Sequence, residues 1–496
     1  MIFGPTQTEI FNQIIKEGAA SAMNDVQFIE SEIRKWRGSE AWKEQVTGER
    51  YYHGFHDILN SKRTAIGENG ELQEVKNLPN KHDIDNQYAI AIDKKTNYFL
   101  GKPIAIETDN KSYSDALHKV LNKKFMKKMK NVCKKSLNGG IAWVYPYFDL
   151  EGKLKLSIFP AYEILPEWKD KEHEELDFAI RVYDAIEYQG TTEVKVLKVE
   201  VYRPDGIYRY VLNDYALIPD IVQGAYSPYL MVDNKAYQWD RVPLIAFKYN
   251  NEEVPVIRRT KCLQDAINEM ISMFHNNMLE DNRNTILIIK NYDGTNLGEF
   301  RRNLSTYGAV KVRSVDGNDG GVDALQIEVN AENYNTILEL LKMALIENAR
   351  SFDGKLLKSG TPNQMNILSV YNEIDIDTNE METEYQAALE ELLPYINTAL
   401  QLQGLGDFTG EEVEFTFNRD MLINESEILG TLSNLGVKIS QRTLLKQVPW
   451  IDDVDKELEE VKKEQEENME VYGDAFTQNS DMFGSGKDGN APTGDE

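Results

Sequence analysis

The chain has 496 residues with 82 acidic and 55 basic side chains, a formal net charge of −27, and is 41% hydrophobic and 10% aromatic. That much apolar material excludes global disorder, and the length predicts roughly three domains or one body with large insertions. So acidic a surface repels nucleic acid at long range; by itself it argues against a protein that grips DNA through phosphates but not against one past which DNA slides.

Residues 1–48 read as polar helices, with Ile10, Ile14 and Ile15 on one apolar stripe and Val26, Ile29, Ile33 and Trp36 on a second, separated at Asn24-Asp25. Gly67, Asn69 and Gly70 between short apolar runs predict a small hairpin over 61–76. A helix is expected over about 82–99, with Ile84, Tyr88, Ile92 and Phe99 on one side, ending at Gly101-Lys102-Pro103. The segment 113–137 reads as one amphipathic helix. Leu117, Leu121, Phe125, Met129 and Val132 form its apolar face, opposite Lys119, Lys123, Lys127, Lys130 and Lys134.

From Gly140 to Tyr249 the pattern turns to strands, at 141–145, 154–158, 194–201 and 207–212, with a hairpin loop at 150–153. A strong helix follows over 260–281, with Leu263, Ile267, Met270, Phe274 and Met278 at helical spacing. A compact α/β insertion comes next: a strand at 286–290, a helix at 297–306, a strand at 309–313, a turn at 316–321 and a strand at 324–329. A second helix over 331–350 matches the first in length, so two struts carry a knob. Residues 351–366 read as a polar loop. A long helical pattern over 367–403 is expected to break near Asp375–Asn379 and carries Pro394; a strand at 413–417 follows. Helices at 424–435, 440–447 and 453–469 lead to a Gly- and Asp-rich end expected to be disordered. From Ile451 onward acids outnumber bases by about eleven.

Two cysteines, Cys133 and Cys262, cannot build a disulfide scaffold or a four-cysteine zinc site; both fall on apolar helical faces and are expected as reduced core residues of a cytoplasmic product. Met1–Ala22 lacks a secretory pattern, and no window approaches 18 uninterrupted apolar residues, so no membrane partner is expected. Tyr (25) outnumbers Phe (18), which leans toward an assembly.

Catalytic and cofactor patterns are weak. Gly484-Ser485-Gly486-Lys487-Asp488 lacks the hydroxyl residue and preceding strand of a phosphate-cradling loop. His53, His56 and Asp57, with His82, Asp83 and Asp85, offer metal-ligand chemistry without a third close histidine, and read better as surface or capping groups. Asp316–Asp323 has a glycine at the sixth position of a calcium loop, but Ile327 stands where the closing carboxylate belongs. Glu373, Asp375, Asp377 and Glu380 could serve a metal-dependent nuclease, yet at this spacing they read as a solvated helix interruption. The lysine face at 119–135 lacks interleaved aromatics for base stacking, and reads as a solvated face or the partner of an acidic neighbouring subunit, with Lys123, Lys127 and Lys130 as the candidate contact. No catalytic, cofactor or metal site is therefore expected.

An ordered series of short stretches carries a resemblance: Arg50-Tyr51-Tyr52 with Asp57-Ile58-Leu59; Asn97 to Pro103; Gly140 to Pro146; Ile158-Phe159-Pro160-Ala161; Arg241 to Ile245; Lys290-Asn291-Tyr292-Asp293-Gly294 with Gly298-Glu299-Phe300 and Gly320 to Asp323; Phe415 to Arg419; and Pro449 to Asp453. Over roughly residues 45–470 the chain resembles the portal proteins of long-tailed phages of Gram-positive hosts. The resemblance implies an α+β, multi-region fold. The wing would be 1–255, the stem 256–282 and 331–350, the clip 283–330 and the tunnel loop 351–366. A long kinked helix and a strand returning to the wing would occupy 367–423, the crown 424–470, and a disordered acidic tail 471–496.

The implied role is a non-enzymatic ring, usually of twelve subunits, at one capsid vertex, through which double-stranded DNA is packaged and ejected. Implied partners are the terminase, the major capsid and scaffolding proteins and a head-completion adaptor; the implied location is the virion, after synthesis in the host cytoplasm. Asn291, Tyr292, Asp293, Gly294, Glu299 and Phe300 would dock partners, and Lys355 and Lys358 would touch DNA transiently. A head–tail adaptor and an enzyme of the packaging machinery remain the alternatives.

Overall fold

The computed structural model describes residues 25–419 except 67–69, 77, 150, 214–215, 233–234, 281–285, 291–297, 299–320, 326–330 and 354–363; beyond 419 it describes 456–464 and a few single positions. The chain is a mixed helix and strand protein, as its patterning predicts. Helices α1 (Asp25–Gly38) and α2 (Glu40–Tyr52) are separated by Ser39, whose hydroxyl accepts from Trp42 N at 3.2 Å and caps α2. Ile29 and Ile33 are buried, as expected, and each such side chain contributes about 1.5–3 kcal/mol of burial to docking α1. The predicted hairpin is β1 (Thr64–Ile66) paired with β2 (Leu72–Glu74).

Helix α3 (Gln87–Leu100) begins five residues later than its apolar pattern suggests, because the amides of 81–85 are held from outside. Strand β3 (Ala105–Glu107) follows. The expected single helix over 113–137 is two: α4 (Lys111–Val120) and α5 (Lys123–Gly139). Asn122 breaks it, since its side-chain oxygen accepts from Lys124 N at 2.9 Å, offering the backbone a cap in place of helix continuity. The apolar stripe survives: Leu117, Phe125, Met129 and Val132 are buried.

Gly140 then turns the chain from α5 into the sheets at φ +80°, where a Cβ would stand 1.9 Å from the Glu253 carbonyl oxygen, so only glycine fits. Strands β4 (Ile141–Phe148) and β5 (Leu154–Pro160) pair antiparallel, and β14 (Ile245–Lys248) pairs with the other edge of β4. Asp149 closes the predicted hairpin loop by accepting from the Glu151 and Lys153 amides. A larger antiparallel meander contains β6 (Ile164–Trp168), β7 (Leu176–Gln189), β8 (Thr192–Arg203), β9 (Gly206–Asn213) and β10 (Ala216–Pro219), with β11 (Tyr226–Ser227) also on β9. Helix α1 covers one face of it over Phe178, Ile180, Val182, Val199 and Val201. Strands β12 (Leu230–Val232) and β13 (Lys235–Tyr237) form a small hairpin.

The two expected struts are α6 (Ile257–Glu280) and α7 (Ala331–Asn348), which pack together through contacts such as Phe274 on Tyr334, ring centroids 5.0 Å apart. Between them, β15 (Ile286–Lys290) pairs with β16 (Gly321–Leu325); the second strand comes three residues earlier than expected. The predicted helix 297–306, strand 309–313 and most of the turn 316–321 lie outside the described residues. Helix α8 (Gln364–Leu402) runs without the break expected near 375–379, and accommodates Pro394. Strand β17 (Glu414–Thr416) pairs with β3. The main core joins α2 to α5, the β4 sheet and α8, and Phe99, Tyr385, Phe247 and Phe417 meet in it.

Candidate functional site: where the long helices join the body

Helix α6 has an apolar edge toward α7 and a second, polar edge. Thr260, Gln264, Asn268, Ser272 and Asn276 recur every fourth residue, and all are buried. Three of them grip the alternate residues Lys81, Asp83 and Asp85, and a fourth, Gln264, ends the series on Asp85 and Tyr88. Asn276 accepts from Lys81 N at 2.7 Å and donates to its carbonyl at 3.3 Å. Ser272 accepts from Asp83 N at 2.9 Å. Asn268 accepts from Asp85 N at 3.1 Å. Gln264 donates to the Asp85 carbonyl at 2.8 Å and accepts from Tyr88 N at 2.9 Å. The repeat works because four helical residues rise about 6.0 Å and two extended residues about 6.6 Å, so one rung per turn stays in step. Lys342 of α7 adds an ion pair to Asp85 at 2.5 Å.

His56 completes this seam. Its Nδ1 meets the Asn268 amide nitrogen at 2.7 Å and its Nε2 the Tyr51 carbonyl at 3.0 Å, so Nε2 carries the proton and the ring is neutral. Burial lowers its pKa from the usual value. His56 is therefore a core rung stacked on Tyr51, not a metal ligand. Asp57 pairs with Arg50 and Lys261, which together outweigh its burial and hold its carboxyl down at about 2. His53 pairs with Glu49, and Asp83 with His275. Among the described residues no group of three or more His, Cys, Asp or Glu is placed to hold a metal ion.

A second junction is charged. Lys95, on the buried side of α3, places Nζ 2.5 Å from Asp377 Oδ2 and 3.1 Å from the Arg350 carbonyl. Asp377 also accepts from Tyr249 OH at 2.9 Å and from Arg350 Nη1 at 3.2 Å. Both Lys95 and Asp377 are almost wholly buried. Burial is the main influence on the Lys95 ammonium and lowers its pKa, while Asp377 opposes the shift. Arg350 stands at φ +47° just past α7, a left-handed conformation uncommon for arginine, and this turn presents its carbonyl to Lys95.

The four-carboxylate stretch is thus not the solvated interruption its sequence suggests. Asp377 is a buried ion partner, and Asp375 accepts from Tyr98 OH at 3.0 Å; Thr378 returns its hydroxyl to the Ile374 carbonyl within the continuous helix. Nearby, Lys94 donates to the Phe352 carbonyl at 2.9 Å, and Tyr371 stacks between Tyr98 and Phe352. Both ends of segment 354–363 are therefore fastened to α3: one through Arg350 and Phe352, the other through Ile367, Tyr371 and Asp377.

Of the residues singled out in the sequence, Lys123 and Lys127 lie exposed on α5 and Lys130 is half-buried there. Lys355, Lys358, Asn291, Tyr292, Asp293, Gly294, Glu299 and Phe300 lie outside the described residues, as do the loop 484–488 and most of 316–323. Cys133 is buried, and burial pushes its thiol up to about 12; Cys262 is exposed, contrary to expectation, because it lies on neither the apolar nor the polar edge of α6. No described helix is long and apolar enough to cross a membrane.

A family model described as phage portal protein, SPP1 Gp6-like, matches residues 40–471, a span that takes in both junctions and the segment between the struts. The chain belongs to the phage portal protein family. The portal protein of Bacillus phage SPP1 is 28% identical over 478 residues, covering 95% of this chain and 92% of the relative. The portal protein of Clostridium phage phiCD119 is 25% identical over 424 residues, covering 83% and 90%. Among solved structures, a chain from the virion of a native gene transfer agent particle aligns with a TM-score of 0.37 at 10% identity, over 72% of this portal protein and 88% of that chain. Sequence resemblance and family membership agree, and the family is a structural one. The buried Lys95–Asp377 junction and the polar edge of α6 escaped the sequence reading. The signals were a lone lysine in the stripe Tyr88, Ile92, Lys95, Phe99 and an unbroken four-residue repeat of uncharged polar residues.

Proposed function

We propose that this portal protein is the structural subunit of a ring of about twelve copies at one capsid vertex, and that double-stranded DNA passes through its centre during packaging and ejection. The family match across residues 40–471 carries the reading. In this ring α6 and α7 act as the stem, 283–330 as the clip, 351–366 as the tunnel loop, 424–470 as the crown, and residues 1–255 as the wing, with 367–423 returning to it. Terminase, head-completion adaptor, capsid and scaffolding proteins are the partners, with Asn291 to Gly294, Glu299 and Phe300 as docking residues. The subunit is made in the host cytoplasm and performs no catalysis.

The physics of the two junctions supports this division of labour. A ring closes through a heterologous interface whose rotation returns to the start. Ile337, Leu340 and Met343 on α7, and Met273, Met278 and Leu279 on α6, are exposed apolar side chains suited to such a contact. The acidic chain keeps DNA off the channel wall, since every fixed cation that neutralises a phosphate deepens a well that would stall translocation. Lys355 and Lys358 lie in a segment whose two ends are clamped, so contact is confined to the loop itself.

Native mass measurement and negative-stain imaging of the purified protein test the ring. Closed rings of about a dozen subunits are expected; a chain that stays monomeric even with scaffold and capsid protein present would defeat the reading. For the loop, Lys355→Ala with Lys358→Ala is expected to change DNA retention or packaged length without changing ring assembly. An adaptor, the second reading, would join completed heads but fail to support packaging by the motor.

A further inference from the structure

Helices α4 and α5 concentrate cations in an acidic protein. Lys134 pairs with Asp93 and Lys135 with Glu49, but Lys119, Lys123, Lys124, Lys127 and Lys130 make no ion pair among the described residues. Two of these, Lys123 and Lys124, occupy the first turn of α5, which holds no acidic residue, so like charge sits at the positive end of the helix dipole. A cluster built against both its neighbours and its helix calls for an anionic partner.

We propose that this lysine face is covered by the acidic stretch of the same subunit that follows Glu464. Two observations favour that occupant. First, the helical residues 456–464 already lie beside α4, where Lys111 Nζ is 3.3 Å from Glu459 Oε1. Second, the charges match: between Gln465 and Gly486 the sequence holds Glu466, Glu467, Glu470, Asp474 and Asp481 and no basic residue. The reach is sufficient. Helix α4 spans about 15 Å, whereas ten extended residues cover about 33 Å. Each exposed ion pair is weak on its own, but a tethered partner acts at an effective concentration on the order of millimolar, so five weak pairs hold. The stretch thereby occupies this cationic face and keeps free polyanions from it. The inference concerns a surface of the single subunit and does not rest on the channel reading.

Zero-length carbodiimide cross-linking of the full chain, read by mass spectrometry on a mixture of isotopically heavy and light protein, tests it. Cross-links are expected from Lys119–Lys130 to acids of 465–496, between peptides of the same isotope only. They should fall at least about tenfold in 1 M salt, where the screening length is about 3 Å. Cross-links from the retained Lys119 and Lys124 should fall as far in Lys123→Glu/Lys127→Glu/Lys130→Glu, with folding checked by circular dichroism. Mixed heavy–light cross-links would assign the partner to a neighbouring subunit and overturn the proposal, as would cross-links only to acids before Glu464 or none at all. In a parallel arm, Glu466→Gln/Glu467→Gln/Glu470→Gln is expected to raise retention of short duplex DNA at low salt about tenfold or more. Equal retention by the parent chain would show the lysine face already open to nucleic acid and also overturn the proposal.

Discussion

Along its buried polar edge helix α6 is tied to the body by uncharged side chains, while the end of α7 and the middle of α8 are tied to it by buried charges. Along α6, Gln264, Asn268, Ser272 and Asn276 each accept a hydrogen bond from one stretch of backbone, so removing one rung leaves its neighbours in register. At the Lys95 junction, one carboxylate serves a lysine, an arginine and a tyrosine from three different segments. Its loss strands the buried lysine and tyrosine, while Arg350 keeps Glu380 at 3.9 Å. Desolvating a neutral amide costs far less than desolvating an ammonium, so the neutral seam tolerates local damage and the charged one does not. The charged design concentrates specificity at the point where both ends of 354–363 are fixed.

The sharpest test of this contrast is Asp377→Ala, which buries Lys95 without a counter-ion. A loss of about 3–5 kcal/mol in urea unfolding is expected, and Lys95→Met with Asp377→Leu should recover most of it. A loss under about 1 kcal/mol would remove the distinction between the seams.

Glu167 supplies a control, a buried carboxylate with no opposite charge in contact. Burial, then Glu32 and Asp177, push its carboxyl up to about 7 from the usual 4.5, while Lys35 only partly opposes them. Because the folded value is raised, the folded state is favoured below pH 4.5 and loses stability as pH climbs toward 7. The loss reaches about 3 kcal/mol at most. Glu167→Gln is expected to flatten that part of the stability–pH profile and to be the more stable protein at pH 8.

On the neutral seam, Asn268→Leu removes the bonds to Asp85 N, Gln264 and His56 at once, and a cost of about 1–3 kcal/mol is expected from denaturation. A cost equal to that of Asp377→Ala would make the two seams energetically alike. The smallest effect belongs to the surface: Lys111→Ala, which breaks the exposed pair with Glu459, should change stability by less than about 0.5 kcal/mol, with any difference vanishing in high salt.

Much of the architecture was legible in residue order. The alternation from Gly140 onward gave the strands, and the spacing of Leu263, Ile267 and Phe274 gave the first strut, because burial on one face imposes a period that sequence preserves. The break at Asn122 was hidden by an apolar stripe that continues across it, since Leu121 and Phe125 pack on the same core from two helices. Segment 81–86 looked helical because Ile84 fits the stripe, yet its amides were claimed by α6, some 180 residues away. The acidic run 373–380 looked like a break because carboxylates inside a helix are ordinarily solvated; nothing local shows that Lys95 will arrive opposite Asp377.

Sequence alone determined the class of fold, the pair of long helices around a strand-bearing insertion, the acidic balance and the family, because composition and periodicity are local properties that each segment carries with it. Only the tertiary structure decided which polar residues are buried and whom they meet. Desolvation and pairing depend on atoms from distant segments: the same aspartate is a surface group in isolation and, beside Lys95, Arg350 and Tyr249, the buried meeting point of three segments.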